Sequence, residues 1–577
     1  MKKTSPIAIV LRVIPFTFLV GCGSKMPALP ILTQNQISND RVPIDIPAET
    51  KDLKYWEVAD ANTFDRLERT LDVRMHTKKD GKLFGSSWSK ESVNVNAYDE
   101  VADSTWFTNR NARQEMSLEE IEKGPTQVRL TPDGALQVIS AKSSGVTPGF
   151  VVKDRNGNDF VLKFDPKVAC GMPSAADVLG SRLLHAAGYN VPENNVEYIN
   201  LDRLRLDEKA RTAGKYGKKT RMTPEKFKEI LDSIPECKQG EKTRVMASRF
   251  LSGKPIGPFS YSGTRKRDTN DRIPHEHRRE IRGLSVMAAW INNTDFRGYN
   301  TLDMFQETEN GKGYVLHNLI DFGAAFGSGS TGPKTNLASH EYWMDYPIIG
   351  LNTITFGFRV PDWENAEPSK YASIGNYRVE DFRPHKWKPT HPNPAMRSST
   401  PRDHFWGARL VASFSDDQLK SAVEAAQFPE AGASEEMANR LGKRRDKIGS
   451  HWFSKTGGLD RFAISGEVPT AYFIDWLYKG PWAPTDQVSY RWDMKTKFGG
   501  KSLRRSGETS EKAIALFENA DQWKRWSGEK EDPKSRYLCL RITPVSGKKK
   551  LAPWTEAYFY LADDGLLYWV GLRRDIW

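Results

Sequence analysis

Short apolar runs separated by glycine turns begin near residue 136 and carry most of the structural information in this chain. "ALQVIS" (Ala135 to Ser140), "GFVVKD" and "DFVLKFD" alternate apolar with polar positions, and Asn156-Gly157 separates the last two. An Asn-Gly pair reaches positive φ at little cost, so strands over Phe150–Lys153 and Asp159–Phe164 are predicted to pair antiparallel. A helix is predicted next, with Ser174 as N-cap and Gly188 past its end, because Val178, Leu179, Leu183, Leu184 and Ala187 recur at helical spacing. "VEYINL" and "TRVMASRFL" read as further strands, separated by a basic, poorly patterned insertion at 203–243. A second helix is predicted from about His277 to Ile291, with Ile281, Leu284, Ala288 and Ile291 on one face. "TLDMFQ" and "YVLHNLI" then form a hairpin across Glu309-Asn310-Gly311-Lys312, and it closes on Asp321-Phe322-Gly323.

The flanks read differently. Residues 51–135 are mixed and irregular, with aromatic anchors at Trp56, Trp88 and Trp106. Residues 324–400 are rich in proline, glycine and aromatic side chains, and helices resume near Asp416–Ala426 and Ser434–Ile448. From 468 to 577 the pattern is tryptophan-rich and strand-like, which predicts a β-rich module. At the other end, Lys2, Lys3 and Arg12 precede an apolar run, Val13 to Val20, that is too short to span a bilayer, as in a signal peptide. The sequence Leu19-Val20-Gly21-Cys22 resembles the lipobox of bacterial lipoproteins, which implies a lipid on Cys22. The expected organisation is a signal peptide (1–22), a flexible tether (23–50), a flanking region (51–135), two central segments (136–260 and 261–467) and the β-rich module (468–577).

Composition narrows the picture only a little. The formal charge of +12 suits an anionic partner, but it is spread through "KYGKKTR", "SGTRKRD" and "EHRREIR" as on a solvated surface, and no nucleic acid is expected. Cys170, Cys237 and Cys539 are scattered and lack any Cys-x-x-Cys, which argues against zinc and against a disulfide scaffold. His275 and His277 flank Glu276, a pattern that suits a metal or, more simply, an exposed helix start.

One constellation carries chemistry. Phosphoryl transfer needs a cation on the phosphates, oxygen ligands for magnesium, a carboxylate to orient the acceptor and backbone amides over the phosphates. Asp295 and Asn300 stand in Asp-x4-Asn spacing after a predicted helix, and the hairpin that follows returns the chain so that Asp321 can lie beside them. Upstream, "VLK" ends in Lys163, and "SSGVTPG" (Ser143 to Gly149) is a candidate glycine-rich cover. Simpler readings stand beside each of these. Lys163 suits the solvent face of an alternating strand, Asp177 a capping box with Ser174, Asp295 and Asn300 the hydrogen bonding of their own turn, Asp321 a loop carboxylate, and Ser143–Gly149 a tight turn.

In order and context, residues 140–450 resemble the protein-kinase-like superfamily. "NTD" stands where ordinary protein kinases carry His-Arg-Asp, and no Ala-Pro-Glu follows Asp-Phe-Gly. The similarity is therefore to atypical branches, the HipA-like, CotH-like and phosphatidylinositol kinases. "NNTDFRGYN" is most similar to the HipA and lipid-kinase loops. The resemblance implies an α+β, two-lobed protein-kinase-like fold, with an irregular N-terminal flank and a β-rich C-terminal module. Residues 136–260 would be the N-lobe and 261–467 the C-lobe, joined near "SRFLSGKPIGP" (Ser248 to Pro258).

It further implies that Asp295 orients the acceptor hydroxyl and that Asn300 and Asp321 bind magnesium or manganese. Lys163 would grip the phosphates of ATP, partnered by Asp177, under a cover that includes Ser143, Ser144, Gly145, Thr147 and Gly149. The expected protein is an exported kinase-like phosphotransferase, lipid-anchored to a bacterial membrane on its periplasmic or outer-surface side. Its acceptor would be a hydroxyl of a protein, glycan or lipid. A catalytically inactive binding module and an AMP transferase on the same fold are the alternatives.

Overall fold

Three strands, β1 (Leu136–Ala141), β2 (Gly149–Lys153) and β3 (Asp159–Lys163), form an antiparallel meander, and Gly157 adopts φ +83° in the β2–β3 turn. The computed structural model that shows this describes residues 39–50, 54–64, 82–83, 86–87, 91–142, 147–213, 219–329, 331–498, 501–528 and 533–577. Cys22 with its lipobox, and Ser143, Ser144 and Gly145 of the expected phosphate cover, lie outside these residues.

Helix α1 (Met172–Ala187) follows, then β4 (Asn194–Ile199), β5 (Leu204–Ala213), β6 (Lys219–Arg221), helix α2 (Pro224–Asp232) and β7 (Lys242–Arg249). The strands run in the order β4-β7-β3-β2-β1-β5-β6. Lys163 stands opposite Gly149 on one side and Met246 on the other. The insertion at 203–243 is thus not poorly structured: β5 extends the sheet parallel to β1, and Phe227, Ile230 and Leu231 of α2 pack on its apolar face. Its period was obscured because the charged residues of β5 and α2 dominate their exposed sides.

Helix α1 starts earlier than predicted. Ser174 lies inside the helix, and the Asp165 carboxylate accepts hydrogen bonds from the backbone N–H groups of Gly171 (2.9 Å) and Ser174 (2.8 Å). A carboxylate from outside the helix therefore satisfies N–H groups at its first turn, and Ser174 caps nothing. Cys170, just before α1, is joined by a disulfide to Cys237, while Cys539 is buried and free, so the scattered cysteines include one pair that their spacing concealed.

The chain leaves the sheet after Arg249 and enters a second one at β8 (Lys254–Pro255). Helix α3 (Arg279–Trp290) is buried along its whole length, and β9 (Thr301–Glu309) and β10 (Lys312–Leu319) form the predicted hairpin, with β8 on its outer edge. Helices α4 (Tyr346–Ile354), α5 (Pro401–Ala412), α6 (Asp416–Glu424) and α7 (Ala433–Trp452) complete this lobe. The result is an α+β fold in two lobes, a mixed sheet carrying α1 over a largely helical body, which is the kinase-like arrangement expected.

The N-terminal flank is part of the main core, since Val101, Trp106, Phe107 and Ile121 pack with α1 and α3. Within the segment expected as a tether, Ile44 exchanges backbone hydrogen bonds with Gly313 and the Asp40 carboxylate accepts from Thr105. His275 is buried rather than exposed: its ring meets Asp271 at 2.7 Å and the Ser260 carbonyl at 2.5 Å. No cluster of His, Cys, Asp and Glu among the described residues has the makeup of a metal site.

Strands β11 (Leu459–Ser465), β12 (Thr470–Asp475), β13 (Ser489–Phe498), β14 (Lys501–Thr509), β15 (Tyr537–Ser546), β16 (Thr555–Leu561) and β17 (Leu567–Arg574) enclose a separate apolar cluster that includes Tyr490, Trp526, Leu540 and Phe559. These strands belong to two sheets, with β11 and β12 in one and β13 to β17 in the other, and buried charges fasten both to the helical lobe. Asp403 of α5 pairs with Arg279 (2.7 Å) and Arg282 (3.1 Å) of α3, and Arg279 continues to Asp99 of the flank (2.9 Å). Arg574 of β17 meets Asp99 (2.9 Å) and Asp460 of β11 (3.3 Å), and Asp460 in turn pairs with Arg409 of α5.

Removing one member of such a buried set leaves an uncompensated charge, so Asp403→Asn should lower stability by about 3–5 kcal/mol, read from the urea midpoint. Burial opposes ionisation of Asp99, but Arg279 and Arg574 overcome it and hold its carboxyl down at about 2. The depressed value means that this stabilisation is complete above the ordinary carboxylate range and is lost as protons bind the folded state. Urea midpoints should therefore fall as pH drops from about 4 toward about 2, and the fall should be shallower in Asp99→Asn.

Candidate active site

The lobes meet at one ammonium group. Lys163 Nζ, at the end of β3, donates to Asp177 Oδ2 of α1 at 3.1 Å and to Asp321 Oδ1, just past β10, at 2.8 Å. Burial alone would lower the lysine's pKa, but the two carboxylates raise it above the ordinary lysine range, so it stays a cation. Lys163 holds Asp321 below the usual carboxylate range, whereas burial raises the Asp177 carboxyl against the pull of the same lysine. Lys163 is therefore not a solvent-facing strand residue, and Asp177 is not a capping residue.

The Asp-Phe-Gly triplet is built around α1. Phe322 N–H donates to Asp177 Oδ1 at 2.7 Å, and the Phe322 ring is buried in the main core. Gly180, one turn along α1, makes room for it, because a Cβ there would lie 2.6 Å from Phe322 Cβ. Asp321 itself adopts φ +61°, a region that aspartate enters more readily than most side chains, and its side chain remains 54 % exposed beside the half-buried lysine.

The loop after α3 brings in the remaining residues. Asn292 ends the helix at φ +51°, as asparagine often does at a helix C-terminus. Asn300 Nδ2 donates to the Asp295 carbonyl at 2.9 Å, and Ile320 N–H donates to the Asn300 carbonyl at 3.0 Å. The second bond continues the β9–β10 ladder and holds Asn300 next to Asp321. The Asp295 carboxylate is paired with Arg297 at 2.8 Å and 27 % exposed, and Arg297 also acts on Asp321. Lys163 thus meets Asp321 directly, and Arg297 couples Asp321 to the Asp295–Asn300 loop. The metal-ligand assignment fits chemically: two hard oxygen donors, the Asn300 amide and the Asp321 carboxylate, suit Mg²⁺ or Mn²⁺, which leave other positions to phosphate and water.

Thr147 and Gly149 of the expected cover have different surroundings. Thr147 Oγ1 accepts from Lys142 Nζ at 2.6 Å. Gly149 is a strand residue whose Cβ would lie 2.3 Å from the Leu162 carbonyl, so cross-strand packing already requires glycine there.

Three site residues escaped the sequence reading. Lys142 lies close enough to Lys163 for that charge, after burial, to lower its pKa to about 8. Lys334 is a half-buried cation whose Nζ donates to Thr294 Oγ1 (2.5 Å) and the Ala324 carbonyl (2.8 Å), and desolvation lowers it to about 8 while Asp295 opposes the shift. The Glu57 carboxylate accepts from Gly298 N–H (2.6 Å) and Tyr299 N–H (3.1 Å), so the flank fixes the loop between Asp295 and Asn300. Lone lysines and a glutamate this remote in sequence carry no spacing signal.

No known protein-family profile matches the chain, and no curated protein matches it either. Among solved structures it is similar to the Golgi casein kinase, at 11% identity and a TM-score of 0.26, over 73% of this chain and 95% of that one. The same kinase with Mn/ADP bound gives 10% identity and a TM-score of 0.25, again over 73% and 95%. Superposition at this level supplies no residue correspondence, and the kinase-like description rests on the topology and contacts given above.

Gly180→Val should displace Phe322, break its bond to Asp177 and lower stability by about 1–3 kcal/mol through overpacking. Thermal unfolding compared with Gly180→Ala, where the intruding group is smaller, should show a graded loss.

Proposed function

We propose that this chain is an exported, lipid-anchored phosphotransferase that moves the γ-phosphoryl group of ATP to a hydroxyl of a protein, glycan or lipid acceptor. One observation carries the reading: a single half-buried ammonium, Lys163, joins α1 to the end of the β9–β10 hairpin through Asp177 and Asp321. A structural ion pair needs one carboxylate. Two on one lysine, one of them 54 % exposed and next to Asn300, suit a site where phosphate and a divalent cation enter.

In this mechanism Lys163 binds the nucleotide phosphates and Asp177 holds it in place. Mg²⁺ or Mn²⁺, held by Asn300 and Asp321, would supply charge neutralisation on the phosphates. Asp295 accepts a hydrogen bond from the acceptor hydroxyl and aims its oxygen at the γ-phosphorus. The new O–P bond forms as the bond to the β–γ bridging oxygen breaks, ADP leaves with that electron pair, and the hydroxyl proton passes to Asp295 and on to solvent. Arg297, paired to Asp295 at 2.8 Å, holds that carboxylate in register. Lys334, close to Asp295, adds positive charge where the transferring group is most negative.

Export and anchoring rest on the basic and apolar leader ending in the lipobox at Cys22, and the Cys170–Cys237 disulfide supports an oxidising compartment. The test is intact-mass measurement of the chain from residue 24 with Mg-ATP, beside Asp321→Asn. A phosphoryl increment or ADP release in the parent alone is the expected result, with both proteins melting at similar temperatures. Full activity in the variant contradicts the site. An adenylyl increment assigns nucleotidyl transfer instead, and neither turnover nor stabilisation by Mg-ATP leaves a binding module.

A further inference from the structure

Helix α4 is unlike the other long helices of the lobe, because none of its residues is buried. From Tyr346 to Phe358 the sequence reads "YPIIGLNTITFGF", with no Asp, Glu, Lys or Arg between Asp345 and Arg359. Ile349 is 50% exposed, Ile354 77%, Phe356 86% and Phe358 89%, with Trp343 (64%) at the base. At 100° per residue, Tyr346, Ile348, Ile349, Leu351 and Ile354 point around the whole helix rather than along one stripe. A helix that docks on a protein keeps a polar outer face, whereas one apolar all round requires an apolar medium on every side.

The base of this projection is pinned and its surroundings are cationic. Asp345 is buried and neutralised by Lys388 at 2.6 Å, and Trp343 N–H donates to the Thr390 carbonyl at 2.8 Å. Thr390 N–H in turn donates to the Thr294 carbonyl, one residue before Asp295, at 2.8 Å. Beside α4 lies a cavity of about 830 Å³ whose lining includes Ile348, Arg359, Arg383 and Lys386. Arg359, Arg383 and Lys386 are exposed, and Arg359 and Lys386 form no ion pair among the described residues.

We propose that residues 343–360 insert into the interfacial layer of an anionic lipid bilayer. The nine residues of α4 extend about 13 Å, well short of the ~30 Å hydrocarbon core, so the segment lies in the interface and does not span it. Its apolar side chains enter the acyl region, Trp343 and Tyr346 sit at headgroup level, and Arg359 and Lys386 meet headgroup phosphates. This contact is separate from any lipid on Cys22, and through Thr390 and Thr294 it sets the Asp295 loop beside the membrane surface.

Vesicle co-sedimentation tests this without nucleotide, so the outcome is independent of the catalytic reading. The chain from residue 24 keeps every described residue. It should sediment with phosphatidylcholine–phosphatidylglycerol vesicles and less with phosphatidylcholine alone. The triple variant Ile354→Asp, Phe356→Asp, Phe358→Asp changes only exposed side chains, so it should melt like the parent yet bind at least about tenfold more weakly. Arg359→Glu with Lys386→Glu should remove the preference for the anionic mixture. A parent that stays in the supernatant, or a triple variant that binds equally well, overturns the proposal. Concentration-dependent dimerisation of the parent that the triple variant abolishes, without vesicle binding, assigns the surface to a second copy and overturns it too.

Discussion

Everything that gives this protein a cleft converges on the Lys163 ammonium. A half-buried cation needs compensation, and here it comes from two elements that share no secondary structure, Asp177 of α1 and Asp321 beyond the β9–β10 hairpin. The position of the sheet, the rotation of α1 and the end of the hairpin are thereby tied together. Gly180 and Phe322 reinforce the tie by steric fit, since the ring occupies the space that any side chain on α1 would fill. With Lys163 satisfied, Asp321 keeps its exposed part toward solvent, while the neighbouring Asn300 is buried and bonded to the Asp295 carbonyl.

A second set of buried charges does the same for the rest of the molecule. Asp99, Arg279, Asp403, Arg574, Asp460 and Arg409 connect the flank, α3, α5 and the C-terminal strands. Each has its opposite charge within the set, so the arrangement is tolerable only as a whole. The flank also supplies Glu57 to the Asp295 loop, which makes it part of the site's scaffold.

Local chemistry was legible in the sequence. Alternating residues and Asn-Gly announced the β2–β3 hairpin, helical spacing announced α1 and α3, and Asp-x4-Asn followed by a hairpin and Asp-Phe-Gly picked out residues that the fold does bring together. What failed was everything decided by partners outside the local periodic pattern. Ser174 has the composition of an N-cap, but α1 starts earlier and Asp165 accepts the N–H groups of Gly171 and of Ser174 itself. The 203–243 insertion looked patternless because its apolar face is narrow and its exposed side strongly charged. His275 looked like a surface residue, but Asp271 and the Ser260 carbonyl bury it. Lys334, Glu57 and the Cys170–Cys237 pair repeat at no period, so only the folded chain reveals them.

The central claim is that Lys163 is held ready for nucleotide phosphates. Calorimetric titration with a non-hydrolysable ATP analogue and Mn²⁺ tests it most directly, with the parent beside Lys163→Met. The account predicts one saturable, metal-dependent site in the parent and at least about a tenfold loss of affinity in the variant, because charge-assisted bonds to phosphate disappear with the ammonium. Equal affinity in the two proteins would contradict it and return Lys163 to a purely structural ion pair.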